Sequence, residues 1–431
     1  MNRLARTAPF VLAALFVAHG ARASALDKIA RELAQAVGDV PQGTTVVASP
    51  LVSDVPVAKP DDLAVRLAAL LAGRVAKGAK PSDRAAPLAV ARTQAKDSAA
   101  LLFVAPTLDK GQLRATIDFY PVPHNGWDRI RTPVPAPRAH GYAASAIDAE
   151  VRAFLPPILL EQAQVVKARV DDGDVLAAAC GDVDGDGGLE IALVSRAKVT
   201  LGRIVRGRFV AYKTASWSAL APRVPVPLRE PIATATFIEE DRLLVGTTDR
   251  GGVALDRELS PVAKLRGLPL PGAMEACASP VPEASALEGA TTCSTLGDAS
   301  GAKLPLPSPR FDALSAPLIV TRDGKESRVV ATREPGGRVR VRVGDDVRVI
   351  DGGAELVVAD LDLDGTPEIA VSSDTGEEAI TVLSLERTGE PKVRRRLVTG
   401  APVRALAACP PEVAGAPALV AVVGSEVWLV R

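Results

Sequence analysis

Two short stretches carry the most suggestive acidic chemistry in this 431-residue chain. Cys180–Ser195 reads C-G-D-V-D-G-D-G-G-L-E-I-A-L-V-S, and Val358–Ser373 reads V-A-D-L-D-L-D-G-T-P-E-I-A-V-S-S. In the first, Asp182, Asp184 and Asp186 alternate, Gly187 follows and Glu190 closes the set; in the second, Asp360, Asp362, Asp364, Gly365 and Glu368 repeat the spacing. Alternate carboxylates around a tight turn can converge on one point, and the glycine lets the backbone reverse without a Cβ clash. Hard oxygen donors suit Ca²⁺, which accepts about 6–8 of them in irregular geometry. Gly188 and Thr366, at the seventh position of each loop, could add a backbone carbonyl. Without a cation each like-charged pair at ~4 Å costs ~1 kcal/mol in water and ~4 kcal/mol at an effective dielectric of 20, so an empty loop is expected to be loose. The alternative is a solvated Asp/Gly turn between strands; two copies in matching contexts favour the metal.

An EF-hand begins with the same D-x-D-x-D-G but needs a bidentate Glu at its twelfth position and flanking helices. Here the twelfth positions are Leu193 and Val371, within the short apolar runs I-A-L-V-S and I-A-V-S-S. Such runs read as strands, which rejects the EF-hand. A strand, a D-x-D-x-D-G-x-x-[DE] loop and a second strand resemble the FG-GAP and VCBS repeats of integrin-α-like β-propellers. That resemblance implies a Ca²⁺ loop between the first two strands of a blade. It assigns carboxylate ligation to Asp182, Asp184, Asp186 and Glu190, and to Asp360, Asp362, Asp364 and Glu368. The chain departs from the family in having Glu at the ninth position, in lacking Phe-Gly, and in having no Gly-Ala-Pro signature after either acidic loop.

The elements around these loops must supply the frame. From about residue 165, short apolar runs alternate with Gly, Pro and Asp. They align as V-L-A-A-A-C at Val175, I-A-T-A-T-F at Ile232, A-M-E-A-C-A at Ala273, A-P-L-I-V-T at Ala316, E-L-V-V-A-D at Glu355 and V-R-A-L-A-A at Val403. Their spacing of about 40–47 residues, with a longer first unit, is the period of four-stranded propeller blades. The expected fold over 165–431 is therefore an all-β propeller of about six blades, or seven if the long first unit hides another. A β-sandwich followed by smaller β units is the competing arrangement. Arg338–Val343 (R-V-R-V-R-V) should be a strand with Val inward, either an anionic-ligand patch or a solubilising outer strand.

Residues 26–160 read as an α/β domain: helices over Leu26–Val37, Leu63–Ala76 and Leu88–Lys96, a strand at Thr44–Pro50, a hairpin turned at Asp109-Lys110-Gly111, and a closing helix over Ala144–Phe154. V-V-A-S-P-L at Val46–Leu51, the Leu63–Ala76 helix and S-A-A-L-L-F-V-A-P-T-L-D-K-G-Q-L resemble the periplasmic domain of TolB amino termini and of curli-export and flagellar-assembly lipoproteins.

Residues 1–25 have the layout of a secretory signal: Arg3 and Arg6, an apolar Phe10–Ala18, and a small-residue cleavage site ending at Ala23 or Ala25. No Cys lies near it to carry a lipid, and no later run is long enough to span a bilayer, so a periplasmic or secreted protein is expected. Four cysteines fit an oxidising compartment. A Cys277–Cys293 bridge is preferred, with Cys180–Cys409 as a second pairing that would fasten the first repeat to the last. Lys and Arg balance Asp and Glu at 51 each, and aromatics are 3%. Neither value suits a nucleic-acid surface. After the signal only His124 and His140 remain, and no H-E-x-x-H, G-x-S-x-G, P-loop or G-x-G-x-x-G occurs. The reading is a non-enzymatic binding or scaffolding protein, its Ca²⁺ structural and its partner an envelope or extracellular protein or glycan; sequence does not set the oligomeric state. The alternatives are an envelope enzyme acting on polysaccharide in the propeller funnel, or an assembly factor working through the N-terminal domain.

Overall fold

The computed structural model describes residues 24–431 except 110, 124–126, 128–129, 131–134, 185, 187, 224–230, 239–241, 266, 272–274, 281–286, 289–293, 296–305, 322–324, 374–375, 387–388 and 412–416. Helix α1 (Ala25–Val37) starts where Ser24 Oγ accepts the Asp27 N–H and stops at Gly38, whose φ of 65° suits a residue without a Cβ. Its Leu26, Ile29 and Leu33 are fully buried. Helix α2 (Pro60–Val75) carries proline in its first turn, where no N–H is needed, and buries Leu63, Leu67 and Leu71. Both pack on a mixed sheet ordered Lys80–Pro81, Thr45–Ala48, Ala100–Asp109, Gln112–Pro121, Ala139–Ala146, with Val52–Ser53 also paired to Ala100–Asp109. At Gly141 an added Cβ would sit 2.6 Å from Ala36 Cβ, so α1 lies directly on the edge strand.

One expected element is corrected. Instead of a helix over Ala144–Phe154, the chain stays extended to Ala146 because it pairs with Gln112–Pro121, and only Ala149–Arg152 is helical. Asp148 accepts the Val151 N–H at 3.0 Å and so fixes the later start. Pairing here overrides the helix preference of the alanines.

Beyond Val165 the described chain is nearly all strand. Antiparallel sheets form from successive strands: Val175–Gly181, Glu190–Ser195, Lys198–Val205 and Arg208–Ser216; then Ala233–Ile238, Arg242–Thr247, Gly251–Leu255 and Pro261–Leu265. Next comes a sheet ordered Leu268–Pro269, Glu275–Pro280, Leu287–Glu288 and Arg310–Phe311, with Ser294–Thr295 on Glu275–Pro280. Another sets Ala313–Ser315 and Leu318–Val320 against Glu326–Arg333, followed by Arg338–Val343 and Asp346–Asp351. Leu356–Ala359, Glu368–Ser372, Ala379–Ser384 and Lys392–Val398 make the fifth group.

Closure comes from the beginning of this region. Val403–Cys409, Ala418–Val423 and Glu426–Val430 take Val165–Arg169 as their outer strand, and Arg169 also bridges to Arg208. That bridge merges the first and last groups into one eight-stranded sheet. Apolar cores lie between neighbouring sheets: Val194 and Val199 with Val245 and Val253, Val339 and Val341 with Ile369 and Val371, and Ile191 and Leu193 with Val420 and Val422. Sheets stacked face to face around an axis are a β-propeller. A cavity of about 340 Å³ lies among inner-strand residues including Ala177, Ala235, Leu314, Leu356 and Ala405.

Cys180 and Cys409 are bonded, joining the first strand of the first group to the first strand of the last. The preferred alternative, Cys277–Cys293, involves a residue outside the described set. Three further expectations change. The third group's inner strand is Leu268–Pro269, upstream of A-M-E-A-C-A. Arg338–Val343 has Val339 and Val341 buried, but it is third in its sheet, since Asp346–Asp351 takes the outer place. The long first unit is spent on the hairpin Lys198–Val205/Arg208–Ser216 and the short helix Trp217–Leu220, whose Trp217 is fully buried and donates Nε1–H to Ser195 O at 2.9 Å.

Candidate metal centre

Both acidic loops connect the first two strands of a sheet, Val175–Gly181 to Glu190–Ser195 and Leu356–Ala359 to Glu368–Ser372. The closing glutamate is the first residue of the second strand, and its side chain is fully buried in each copy. Glu190 Oε2 accepts the Val183 N–H at 2.6 Å, and Glu368 Oε2 accepts the Leu361 N–H at 2.8 Å. The fifth-position aspartates do the same work in both: Asp186 Oδ1 accepts the Gly188 N–H at 2.8 Å and Asp364 Oδ1 accepts the Thr366 N–H at 2.7 Å. Asp184 and Asp362 cap the Asp186 and Asp364 N–H groups at 3.2 Å each. These are Asx turns, which hold the loop without a ligand. The turn also forces Leu363 to φ 54°, a left-handed position.

Three carboxylates converge in each copy. Asp182, Asp184 and Glu190 offer oxygens within 4.8 Å of one another, as do Asp360, Asp362 and Glu368. Asp186 and Asp364 fall outside these triads and serve the turn instead, with Gly188 and Thr366 as their N–H donors.

The two loops differ in what faces the triad. In the first, Arg203 reaches in from the third strand. Its Nε donates to Glu190 Oε1, Nη1 donates to Asp186 Oδ2 at 2.8 Å, and Nη2 donates to both Asp184 oxygens at 2.9 Å. Gly188 makes room, since a Cβ there would lie 2.9 Å from Asp186 Oδ1 and 3.6 Å from the Arg203 guanidinium carbon. The Arg203 hydrogen bond holds the Asp186 carboxyl below its usual range, while burial pushes Glu190 up. Thus Arg203 ties together three carboxylates of the first loop.

In the second loop the place of Arg203 belongs to a serine. Gly202 pairs with Ile191, so Arg203 stands opposite Glu190; Glu368 pairs with Ser384. The nearest cation, Arg394, divides its guanidinium between Glu161 Oε1 at 2.6 Å and Asp362 Oδ2 at 3.2 Å. Asp360 is held by N–H donors from Asp364 and Gly365, both at 2.9 Å. Glu368 Oε1 is buried with no hydrogen-bond partner. Burial, with Asp362 beside it, pushes the Glu368 carboxyl up to about 9, and burial likewise moves Asp360 to about 7. An unpaired buried carboxylate oxygen beside two more carboxylates is the donor set of a hard cation. By that criterion the residues of the second loop fit a hard cation such as Ca²⁺, whereas in the first loop two of the three triad carboxylates, Asp184 and Glu190, are already engaged by a guanidinium.

Sequence reasoning identified the acidic positions but missed Arg203 and Arg394. Arg203 lies thirteen residues beyond Glu190 on the far side of a hairpin, and only strand register marks it. His124 lies outside the described residues. His140 Nδ1 pairs with Asp118 Oδ1 at 2.7 Å on the N-terminal sheet, remote in sequence from either loop.

No protein-family model and no curated protein sequence matches the chain. Solved structures similar to it include AofleA from Arthrobotrys oligospora, at 13% identity over 62% of this chain and 86% of that one, with a TM-score of 0.38. The Cps50 (Swd1) β-propeller domain of Myceliophteria thermophila aligns at 10% identity over 74% of this chain and 92% of that domain, with a TM-score of 0.34. A glucose dehydrogenase aligns at 13% identity over 62% and 98%, with a TM-score of 0.37.

Proposed function

We propose that this chain is a non-enzymatic binding or scaffolding protein of the periplasm or extracellular space. In this reading an α/β domain over 26–160 precedes a six-bladed propeller of FG-GAP/VCBS type over 165–431, whose second acidic loop holds a structural Ca²⁺. The observation that carries the metal is Glu368 Oε1, fully buried and unpaired beside Asp360 and Asp362. The disulfide is compatible with export and the signal-like first 25 residues motivate it. Propeller faces and loops would then engage an envelope protein or glycan, a step that rests on fold analogy. No helix among the described residues is long and apolar enough to cross a membrane.

Asp360, Asp362 and Glu368 would hold the ion, which would supply a fixed positive charge that lets three clustered carboxylates coexist. Extracellular calcium modules have dissociation constants of ~10⁻⁴–10⁻³ M, so millimolar Ca²⁺ would stabilise the chain by about 0.5–1.5 kcal/mol. Calorimetric titration of chelator-treated full chain with CaCl₂, paired with thermal melts, tests this. Saturable binding with a raised melting temperature is expected. No heat and an unmoved melt at several millimolar Ca²⁺ would remove the metal from the account.

A further inference from the structure

We infer that Arg203 is a built-in cation that replaces the metal in the first acidic loop, and that the residue opposite the closing glutamate decides which loop takes an ion. The chain therefore binds one divalent cation although its sequence repeats the motif twice. For the second loop this rests on the metal reading above; for the first it stands on contacts alone.

The two frames are otherwise alike: the same glutamate oxygen capped by the same backbone N–H, and the same two Asx turns. What changes is the residue across the strand pair, Arg203 against Ser384. A guanidinium is a planar fork of N–H donors that matches carboxylates two at a time and stays charged at any working pH. Arg203 uses that fork on Asp184, Asp186 and Glu190 at once. The glutamate oxygen it engages, Glu190 Oε1, corresponds to the oxygen left without a partner in Glu368. An incoming ion would have to displace all of these charge-assisted bonds and leave the arginine beside a second positive charge. Ser384 brings neither obstacle. Arg394 is no equivalent, because within the triad it hydrogen-bonds Asp362 alone and is shared with Glu161.

The test counts ions bound to the full chain by equilibrium dialysis against calcium, with metal analysis of the protein, for wild type, Arg203→Ser, Ser384→Arg, Asp182→Asn and Asp360→Asn. Expected stoichiometries are one, two, none, one and none. Wild type binding two ions, or Asp182→Asn losing one, overturns the inference. So does a folded Arg203→Ser that gains none. If wild type binds none, the metal reading of the second loop fails; a gain of one ion by Arg203→Ser would still support Arg203 as the blocking cation. Should Arg203→Ser fail to fold, the Asp182→Asn and Asp360→Asn counts decide alone.

Discussion

The two acidic loops carry the same motif on the same kind of hairpin, yet the chain secures them by different means. The first follows Cys180 by two residues, so its leading strand is covalently tied to Cys409, and Arg203 pairs with its Asp184, Asp186 and Glu190. The second follows Val358 and faces Ser384, and it keeps a buried carboxylate oxygen without a partner. One loop draws a guanidinium onto three of its carboxylates; the other has no such cation opposite its closing glutamate. Motif spacing fixes where carboxylates converge, and the neighbouring strand decides what they converge on.

The sharpest way to break this contrast is to remove the covalent tie. A Cys180→Ser/Cys409→Ser double variant should lose about 5 kcal/mol in chemical denaturation, since the bond closes a loop of 229 residues. A loss below about 1 kcal/mol would mean that β-pairing alone secures the first loop. Next in size, Arg203→Ser in chelator should cost about 2 kcal/mol, because it strands the buried Glu190 carboxylate. Added calcium should restore part of that loss in the variant. The matching substitution Glu368→Gln in the second loop should abolish the calcium-dependent rise in melting temperature, about 0.5–1.5 kcal/mol, whereas Glu190→Gln should leave that rise intact.

The smallest effect is a dependence on pH. Glu368 and Asp360 have carboxyls raised to about 9 and about 7 when folded, so the folded metal-free chain binds more protons than the unfolded one. Their contribution is present in full below the ordinary carboxylate range and is lost as pH rises toward 9. Melts in chelator should therefore fall between pH 5 and pH 9, and calcium should flatten the slope, because ligation needs the deprotonated forms. Equal slopes with and without calcium would place the ion elsewhere.

Much of the local structure was legible because it depends on near neighbours. The α1 stripe Leu26, Ile29, Leu33, the hairpin at Asp109–Gln112 and the strands either side of each acidic loop follow from periodicity and turn chemistry. What stayed hidden depends on register or on distant pairing. Nothing local marks Val165–Arg169 as the outer strand beside Glu426–Val430, or Arg203 as the residue opposite Glu190. Ala144–Ala146 read as helix because alanine favours it, and only the partner strand at Gln112–Pro121 draws them into the sheet. R-V-R-V-R-V was legible as a strand, but its rank within the sheet was not, because Asp346–Asp351 also alternates and comes later.

The strand Val165–Arg169 has one more consequence. Its partner, Glu426–Val430, is made after every other strand of the ring, and Gln164 and Arg431 exchange backbone hydrogen bonds beside it. During synthesis, an early segment must therefore wait with its amides open while more than half of the chain is translated. A ribosome halted shortly before Glu426 would leave two bare sheet margins on one molecule, each a template for a stranger's strand.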